Sequence, residues 1–265
     1  MIGFFPDPYP DELLYSVCAR YSERVVYPNK QSHIVELLGY RGLSAIVDFP
    51  NRLHYLISIL PPGHHYSVEE LINQNTLFPF YEPFLPSDRA RLIRREMSDN
   101  SKDNLLRARI ATTIKQVKMP ECMRFCPFCV EEDRSEYGET YWHRLHQLPG
   151  VLICSVHLCF LEDSSLEWKR GIGYQFYSAE KYVLRTKRRL LDKAIFDHQI
   201  LIKLADEARW ILSQNHISIE NSVIRDRYYN QLLKKELAFY NGKLKNKLLE
   251  VRRSSFSGHK TLAAP

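Results

Sequence analysis

Four residues in the middle of the chain have the types and the spacing of a metal site. Cys126 and Cys129 are separated by two residues, as are Cys154 and His157, and 24 residues lie between the two pairs. Ligands separated by two residues can face one ion from a single tight turn, and four thiolate or imidazole ligands complete the tetrahedral shell of Zn²⁺. Structural zinc contributes about 10–16 kcal/mol to the folding free energy of small finger peptides. This is far more than the entropic cost of closing the intervening loop. The sequence therefore predicts a closed structural zinc site.

The residues around the second pair favour a small core beside this metal. Pro149 and Gly150 predict a turn that brings the second pair back to the first. The predicted apolar cap consists of Tyr141, Trp142, Leu145, Leu148, Val151, Leu152 and Ile153.

A disulfide pair and a catalytic zinc ion are the alternative interpretations of these residues. The chain has six cysteines, but it shows no secretory signal, and the spacing is that of metal ligands. A catalytic zinc ion keeps one coordination position open, whereas three thiolates and an imidazole fill the tetrahedron.

Four further residues near the site have more than one interpretation. Cys122 and Cys159 either compete as ligands or lie beside the site as small buried apolar residues. His143 and His146 are three residues apart on a predicted short helix. They are interpreted as packed polar residues, with hydrogen-bond donors to the ligands and phosphate contacts as the alternatives.

The composition is that of a globular protein. The 265 residues suit one large or two small domains, and 45% of them are hydrophobic. No stretch approaches the roughly 18 uninterrupted apolar residues of a membrane span, and the N-terminus lacks a signal sequence. We therefore expect a soluble cytoplasmic protein, whose reducing surroundings keep thiolates available to metal. The net charge of +6 permits nucleic-acid binding without establishing it.

The N-terminal third predicts an extended arm followed by short helices. Three prolines lie between Phe5 and Glu12 and favour an extended arm, and Asp11 is predicted to cap a helix that runs to about Arg24. A strip from Thr76 to Pro86 is too rich in proline for regular structure and is predicted to pack across the helices. Further helices are predicted from Ser32 to Gly39, from Pro50 to Leu60, from a capping box at Ser67–Glu70, and from near Ser87 and Ser101.

Basic residues concentrate in the C-terminal third. Between Lys181 and Lys193, six basic residues accompany one acid, and this cluster is predicted to lead into a long amphipathic helix. The predicted buried side of this helix consists of Leu191, Ala194, Ile195, Leu201, Leu204, Ala205, Ala208, Ile211 and Leu212. A second helical pair, residues 228–233 and 244–251, is separated near Asn241-Gly242. Its basic second helix predicts a helix-turn-helix, with a helical hairpin that has a solvated basic face as the alternative.

Several of these basic side chains are candidates for contacts with DNA phosphates. The candidates are Arg185, Lys187, Arg188, Arg189, Lys243, Lys245 and Lys247. A second group, interpreted as a solvated helix face with phosphate contact as the alternative, consists of Arg107, Arg109, Lys115 and Lys118.

The chain lacks the common motifs of catalysis. It has no glycine-rich phosphate loop, no paired-histidine metalloprotease helix, no nucleophile elbow and no acidic cluster of a two-metal nuclease. We therefore expect a protein that is not an enzyme.

An ordered set of motifs resembles the TniQ/TnsD family of transposon target-selection proteins, and most closely its TnsD branch. The first two motifs are FPDPYPDELLYS at residues 5–16 and NTLFPFYEPF at residues 75–84. The others are RFCPFC from residue 124, YGE from 137, YWHR from 141, HQLPG from 146 and CSVH from 154, with a fainter likeness from residue 228 to 249. By this resemblance, Cys126, Cys129, Cys154 and His157 occupy the zinc-ligand positions of the family.

The resemblance implies a non-catalytic protein that binds a target site in double-stranded DNA. Such a protein recruits the AAA+ ATPase regulator of a Tn7-like transposon, TnsC. The sequence ends soon after the second helical pair, where TnsD proteins usually continue. The alternative is therefore a TniQ-type adaptor that links a CRISPR RNA-guided effector complex to the transposition machinery without recognising a site itself.

Together these features predict a mainly α fold with a small zinc-ribbon or zinc-finger insertion and helix-turn-helix-like units on both sides. The expected domains are an N-terminal helical domain at 1–118, a zinc-binding module at 119–165, a basic helical domain at 166–253 and a disordered tail at 254–265.

Overall fold

The computed structural model describes residues 1–25, 27, 29, 31–40, 45–99, 119–167, 175–185, 187–214 and 221–234. Helices dominate these residues, which confirms the predicted mainly α character. The α-helices are α1 Leu14–Arg24, α2 Gln31–Leu38, α3 Leu53–Ile59, α4 Val68–Asn75, α5 Phe78–Tyr81, α6 Ser87–Ser98, α7 Pro127–Tyr137, α8 Arg144–Gln147, α9 Ala179–Tyr182, α10 Phe196–Ser213 and α11 Asn221–Lys234.

Helix α1 is the centre of the N-terminal core. Eight of its 11 residues are buried, Leu14 to Tyr21, so burial of its apolar side chains stabilises it. The predicted cap is wrong: the helix begins after Leu13, which makes no side-chain cap bond. Asp11 instead adopts a positive φ of 57° and turns its carboxylate toward α8, a partner that local sequence does not reveal.

Helices α2 and α3 differ from their predicted starts but keep their predicted ends. Helix α2 begins at Gln31, so Ser32 lies inside it, and α3 begins at Leu53 after a left-handed Arg52, not at Pro50. Gly39 ends α2 with a φ of 74°, and a Cβ there would lie 2.6 Å from the Tyr55 ring. Only glycine therefore fits this turn.

The capping box of α4 is confirmed, because Ser67 Oγ accepts from the Glu70 amide and Glu70 Oε2 accepts from the Ser67 amide. The prediction that residues 76–86 lack regular structure is wrong. They form α5 and a 3₁₀ helix, Glu82–Phe84. Their prolines lie in the first turns, where an amide hydrogen is not needed.

Two small antiparallel sheets accompany the helices. Strand β1, Cys122–Phe125, pairs with β4, Glu162–Glu167, with an irregular register between Cys122 and Arg124. Strand β2, Ile153–Cys154, pairs with β3, Cys159–Phe160, and this hairpin places Cys154 opposite Cys159.

Helix α10 begins later than predicted, at Phe196. Leu191, Ala194 and Ile195 therefore precede it, and Leu204 is 51% exposed, because the buried side is a narrow stripe of Ala205, Ala208 and Leu212. This stripe packs against α4, α5, α8 and β2. The helix thus joins the N-terminal helices to the segment that carries the predicted metal ligands.

The chain forms two compact units, Met1–Ile217 and Ser218–Pro265. The arm, helices α1–α10 and both sheets belong to the first, and α11 is the described part of the second. Among the described residues, no helix has the length and apolar character needed to cross a bilayer. Several sequence predictions lie outside the described residues: Ser101, Arg107, Arg109, Lys115, Lys118, Lys243, Lys245, Lys247, residues 244–251 and the tail at 254–265.

Candidate metal centre

The structure brings Cys126, Cys129, Cys154 and His157 together. Their Sγ and Nδ1 atoms all lie within 4.8 Å of one another. The Nδ1 atom of His157 is 3.5, 3.4 and 3.5 Å from the sulfurs of Cys126, Cys129 and Cys154, and the last two sulfurs are 3.7 Å apart. A tetrahedral ion with Zn–S bonds of about 2.3 Å and a Zn–N bond of about 2.0–2.1 Å requires separations of about 3.8 and 3.5 Å. The four residues can therefore hold one metal ion.

The first knuckle is the turn from β1 into α7. Cys126 is the N-cap residue of α7, its sulfur accepts from the Cys129 amide at 3.4 Å, and Pro127 occupies the first turn. This start fixes both sulfurs on one side of the helix, because an N-cap side chain and residue N3 face each other.

The second knuckle is the tight turn of the β2–β3 hairpin. Leu158, next to His157, has a left-handed φ of 49°, and its amide donates to the Cys154 carbonyl at 2.9 Å. The turn lets Cys154 and His157 point to the same side, as the two-residue spacing predicts.

The acid–base chemistry of these groups favours a cation between them. Hydrogen bonds with Cys129, Cys154 and Cys159 lower the pKa of Cys126, whereas contact with Cys126 and Cys154 raises the pKa of Cys129. Thiols this close cannot all ionise alone, because each thiolate opposes the next. A divalent cation removes that conflict, since thiolates are the form that binds metal.

Glu132 supports the imidazole of His157. Its Oε1 atom lies 2.9 Å from His157 Nε2, an ion pair when the imidazole is protonated. Burial opposes the charge on this imidazole, but Glu132 and Cys154 outweigh it and raise the pKa of His157 to about 9. The Phe128 ring stacks on the imidazole at 5.5 Å, so the ring plane is held from a second side.

His143 and His146 lie beside the ligands. His143 Nε2 is 3.0 Å from Asp133 Oδ2, which also accepts from Thr140. Burial opposes the charge on His143, but the Asp133 contact outweighs it and raises the pKa. Burial lowers the pKa of His146 to about 4, and its Nε2 atom lies 4.0 Å from the Cys129 sulfur. The position of His146 suits a donor to a ligand thiolate better than a phosphate contact.

Cys159 is fully buried with its sulfur 3.3 Å from that of Cys126, and Cys122 is half-buried at the start of β1. All six cysteines are free thiols, which disagrees with the disulfide alternative. The predicted apolar cap is buried except for Leu152, which is 49% exposed and directly precedes β2.

Arg124 and Gln147 fix the loop that precedes the second knuckle. The Arg124 guanidinium donates to the carbonyls of Leu148 and Val151, both at 2.6 Å, and Gln147 exchanges two hydrogen bonds with the Arg124 backbone. Burial lowers the pKa of Arg124 to about 10. The arginine of the RFCPFC motif thus holds the HQLPG motif in place.

Trp142 anchors the N-terminal arm to the metal module. It is fully buried, its amide donates to Ser16 Oγ at 3.0 Å, and its carbonyl accepts from the Leu13 amide at 3.0 Å. Its indole N–H donates to the Tyr177 carbonyl. Trp142 is therefore hydrogen-bonded to residues that precede the metal module in the chain, Leu13 and Ser16, and to Tyr177, which follows it.

A buried network that the sequence did not predict lies beneath the arm. Arg20 donates to Glu12 at 2.8 Å and to Glu139 at 2.9 Å, and its guanidinium lies 3.5 Å from the centre of the Tyr9 ring. Tyr9 in turn stacks on Tyr137 at 4.3 Å. The available signal was the arginine itself, an ionisable residue in the middle of an otherwise apolar helix segment.

The predicted phosphate contacts in the described residues lie on an extended segment, not on a helix. Residues 189–191 pair with β3, because the Phe160 amide donates to the Arg189 carbonyl and the Leu191 amide to the Leu158 carbonyl, both at 2.8 Å. Arg188 pairs with Glu131 and Arg189 with Glu162. These two side chains are thus partly neutralised, whereas no ion pair of Arg185 or Lys187 is seen among the described residues.

A cleft of about 450 Å³ opens beside the ligands. Carboxylates predominate among its charged side chains, which include Glu132, Asp133 and Glu136 opposite Arg209.

Fold and site together define a mainly helical protein assembled around a compact Cys₃His centre. The chain belongs to the TniQ family, whose model matches residues 3–161. It is 31% identical over 153 residues to the transposon Tn7 transposition protein TnsD of Escherichia coli, a match that covers 58% of this chain and 30% of that relative. The chain therefore matches less than a third of the length of this relative.

Proposed function

We propose that this chain is a non-catalytic, DNA-binding target-site selector of a Tn7-like transposon that recruits the ATPase regulator TnsC to the insertion site. The observation that carries the proposal is membership of the TniQ family over a match that spans the arm, helices α1–α8 and all four metal-ligand candidates. The similarity to a Tn7 transposition protein supports the transposition role and favours the selector over a CRISPR-linked adaptor.

We propose Zn²⁺ as the bound ion, held by Cys126, Cys129, Cys154 and His157. Three thiolates and one imidazole are soft or borderline ligands in tetrahedral positions, the combination that suits zinc. When bound, zinc would supply structural cross-linking between β1–α7 and the β2–β3 hairpin. Four protein ligands leave no position for a reactive water, which supports a role without catalysis.

The DNA-binding face of the proposal includes the basic segment between Lys181 and Lys193. Arg185 and Lys187 are both exposed on this segment, so both side chains can reach phosphates. Arg188 and Arg189 would have to leave their carboxylate partners, Glu131 and Glu162, before they could contact phosphates. Their contribution to DNA binding should therefore be smaller. Lys243, Lys245 and Lys247, in the second compact unit, and the helix-turn-helix units are proposed as further DNA contacts in their own right, within domains proposed at 1–118, 119–165, 166–253 and 254–265.

Binding to double-stranded DNA tests this function. The apparent affinity should fall steeply between 50 and 200 mM salt, because protein–phosphate contacts release counterions. Pull-down of TnsC by the full chain, with and without DNA, tests recruitment. If the chain captured TnsC or a CRISPR effector complex but had no affinity for DNA, the adaptor function would be favoured. If it bound neither DNA, nor TnsC, nor a CRISPR effector complex, both functions would be overturned.

A further inference from the structure

The Cys159 side chain faces the metal centre while its backbone faces the basic segment. Its sulfur is fully buried and lies 3.3 Å from the sulfur of Cys126. On strand β3 it stands directly opposite Cys154, so the hairpin projects both side chains toward the same side. Cys159 is not among the four residues whose donor atoms cluster within 4.8 Å. It therefore lies just outside the coordination shell, next to one ligand.

The direction of the Cys159–Cys126 contact follows from the chemistry of the ligand. A cysteine that binds metal does so as a thiolate, which has no proton to donate. The thiol of Cys159 must therefore be the donor and the sulfur of Cys126 the acceptor. Cys126 also accepts from the Cys129 amide at 3.4 Å, so two donors would share the charge of this thiolate. Such contacts to ligands hold their orientation and raise metal affinity.

The backbone around Cys159 holds the basic segment. Cys159 forms a bridge with Leu190, and its two neighbours make the flanking bonds, Leu191 amide to Leu158 carbonyl and Phe160 amide to Arg189 carbonyl. The segment is thus held against the β3 edge of the hairpin by one antiparallel bridge with its two hydrogen bonds. Whatever fixes the position of Cys159 also fixes residues 189–191.

We infer that Cys159 is a positioning residue of the metal centre that couples metal occupancy to the order of the basic segment. The Cys159 thiol stabilises the Cys126 thiolate, and the β3 backbone transmits this to residues 189–191. The inference rests on the proposed metal site but not on DNA binding, so loss of the DNA-binding role leaves it standing.

The zinc affinity of the purified full chain, measured by competition with a chromophoric chelator, tests whether Cys159 supports the metal centre. We expect Cys159→Ala to bind zinc about 10–100-fold more weakly, the usual effect of removing a group that supports a ligand. Cys159→Ser keeps a donor and should recover most of the affinity. Cys159→Val fills the volume without a donor and should resemble the alanine variant, which covers the case in which the alanine variant fails to fold. Cys18→Ala, which removes another buried thiol from the α1 core, is the matched control and should bind as wild type.

The cobalt spectrum separates a positioning thiol from a ligand. The intensity of the thiolate-to-cobalt charge-transfer bands grows with the number of bound thiolates. Cys159→Ser should keep the wild-type intensity, since Cys126, Cys129 and Cys154 remain. A loss of intensity corresponding to one thiolate would show that Cys159 is itself a ligand and would overturn the positioning role.

Amide hydrogen exchange, measured without DNA, tests whether metal occupancy controls the order of residues 189–191. In the zinc-loaded protein, the amides of Phe160 and Leu191 should be protected, and chelation or Cys159→Ala should accelerate their exchange by at least about tenfold. The amides of α1 should change little in Cys159→Ala. Equal exchange at Leu191 with and without zinc would overturn the coupling, as would a wild-type zinc affinity in both the alanine and valine variants. A wild-type chain that binds no zinc would instead refute the proposed metal site.

Discussion

Asp11 and Arg144, 133 residues apart, are joined by an ion pair in which Arg144 Nε lies 3.1 Å from Asp11 Oδ1. The other carboxylate oxygen accepts from the Leu145 amide at 3.0 Å, and the Asp11 carbonyl accepts from the Arg144 amide at 2.7 Å. A residue of the arm thus caps a helix of the metal module. Arg144 also donates to the carbonyls of Asn73 and Thr76 at the end of α4, so one pair of side chains connects three parts of the fold.

Removing the Asp11 carboxylate should destabilise the whole first unit. Asp11→Ala deletes the cap of α8 and leaves the largely buried Arg144 without its ion-pair partner, which together should lower the free energy of unfolding by about 2–4 kcal/mol. Urea denaturation measures this change. Asp88→Ala, which breaks an exposed pair with Arg91, should cost less than about 1 kcal/mol. If both variants lost the same free energy of unfolding, the Asp11 contacts would stabilise the fold no more than an exposed ion pair does.

Two arginines on α1 provide a matched test of burial. Arg20 is 5% exposed and Arg24 is 41% exposed, and both pair with Glu139. Arg20→Ala leaves Glu12 buried without its ion-pair partner, although the Tyr9 amide still donates to it, and should cost about 3–5 kcal/mol, whereas Arg24→Ala should cost about 0–1 kcal/mol. Thermal unfolding of the two variants should therefore differ by several degrees. The explanation fails if Arg24→Ala is the more damaging change.

Glu12 should make stability depend on pH. Burial raises its pKa to about 7, even though Arg20 lowers it. Because this folded-state pKa is above the unfolded value, the group contributes stability that is fully present below pH 4.5 and is lost as the pH rises through 7. From pH 5 to pH 8, the wild type should therefore lose stability relative to Glu12→Gln. Denaturation midpoints at four pH values measure the difference, and parallel curves would contradict it.

Metal removal should unfold the middle of the protein. One zinc ion per chain is expected by elemental analysis, and a chelator should reduce the helical circular dichroism and the melting temperature together, because the binding free energy of a structural site is folding free energy. Cys126→Ser should lose the ion, whereas Cys122→Ser, at a half-buried position outside the cluster, should retain it. A chain that keeps its melting temperature after complete removal of the metal would refute a structural role.

Charge reversal on the basic segment should weaken DNA binding without changing stability. Arg185→Glu and Lys187→Glu should each lower the affinity for every DNA sequence tested and reduce the salt slope by about one, since phosphate contacts carry no base information. Arg91→Glu, on the surface of α6, is the control. Retention of the wild-type salt slope in the double variant would exclude this segment from the interface.

The clustering of the four candidate ligands was predictable from the sequence because their spacing is local. Two pairs with the same two-residue spacing each define a turn, and only one loop has to close to bring them together. The capping box at Ser67 is confirmed for the same reason. The start of α10 was not predictable, because residues 189–191 continue the apolar and basic pattern of the helix and are extended only through their bonds to β3.

The roles of Asp11 and Arg20 were also beyond the sequence, because their partners are remote. Asp11 has the residue type and position of an N-cap for α1, and nothing nearby in the sequence indicates that α8 is its partner. The motifs of the arm and of YWHR were both recognisable. Only the structure shows that Leu13, Ser16 and Trp142 join them.

The burial of Trp142 against Leu13 and Ser16 sets where this chain can be cut and recombined with its relatives. A metal module excised at residue 119 would lose the bonds of the Trp142 amide and carbonyl to Ser16 and Leu13, and with them the contact with α1. Hybrids that exchange residues 1–182 as one block keep these bonds, and the indole bond to the Tyr177 carbonyl, within a single parent, whereas grafts of the module alone would divide them between two parents.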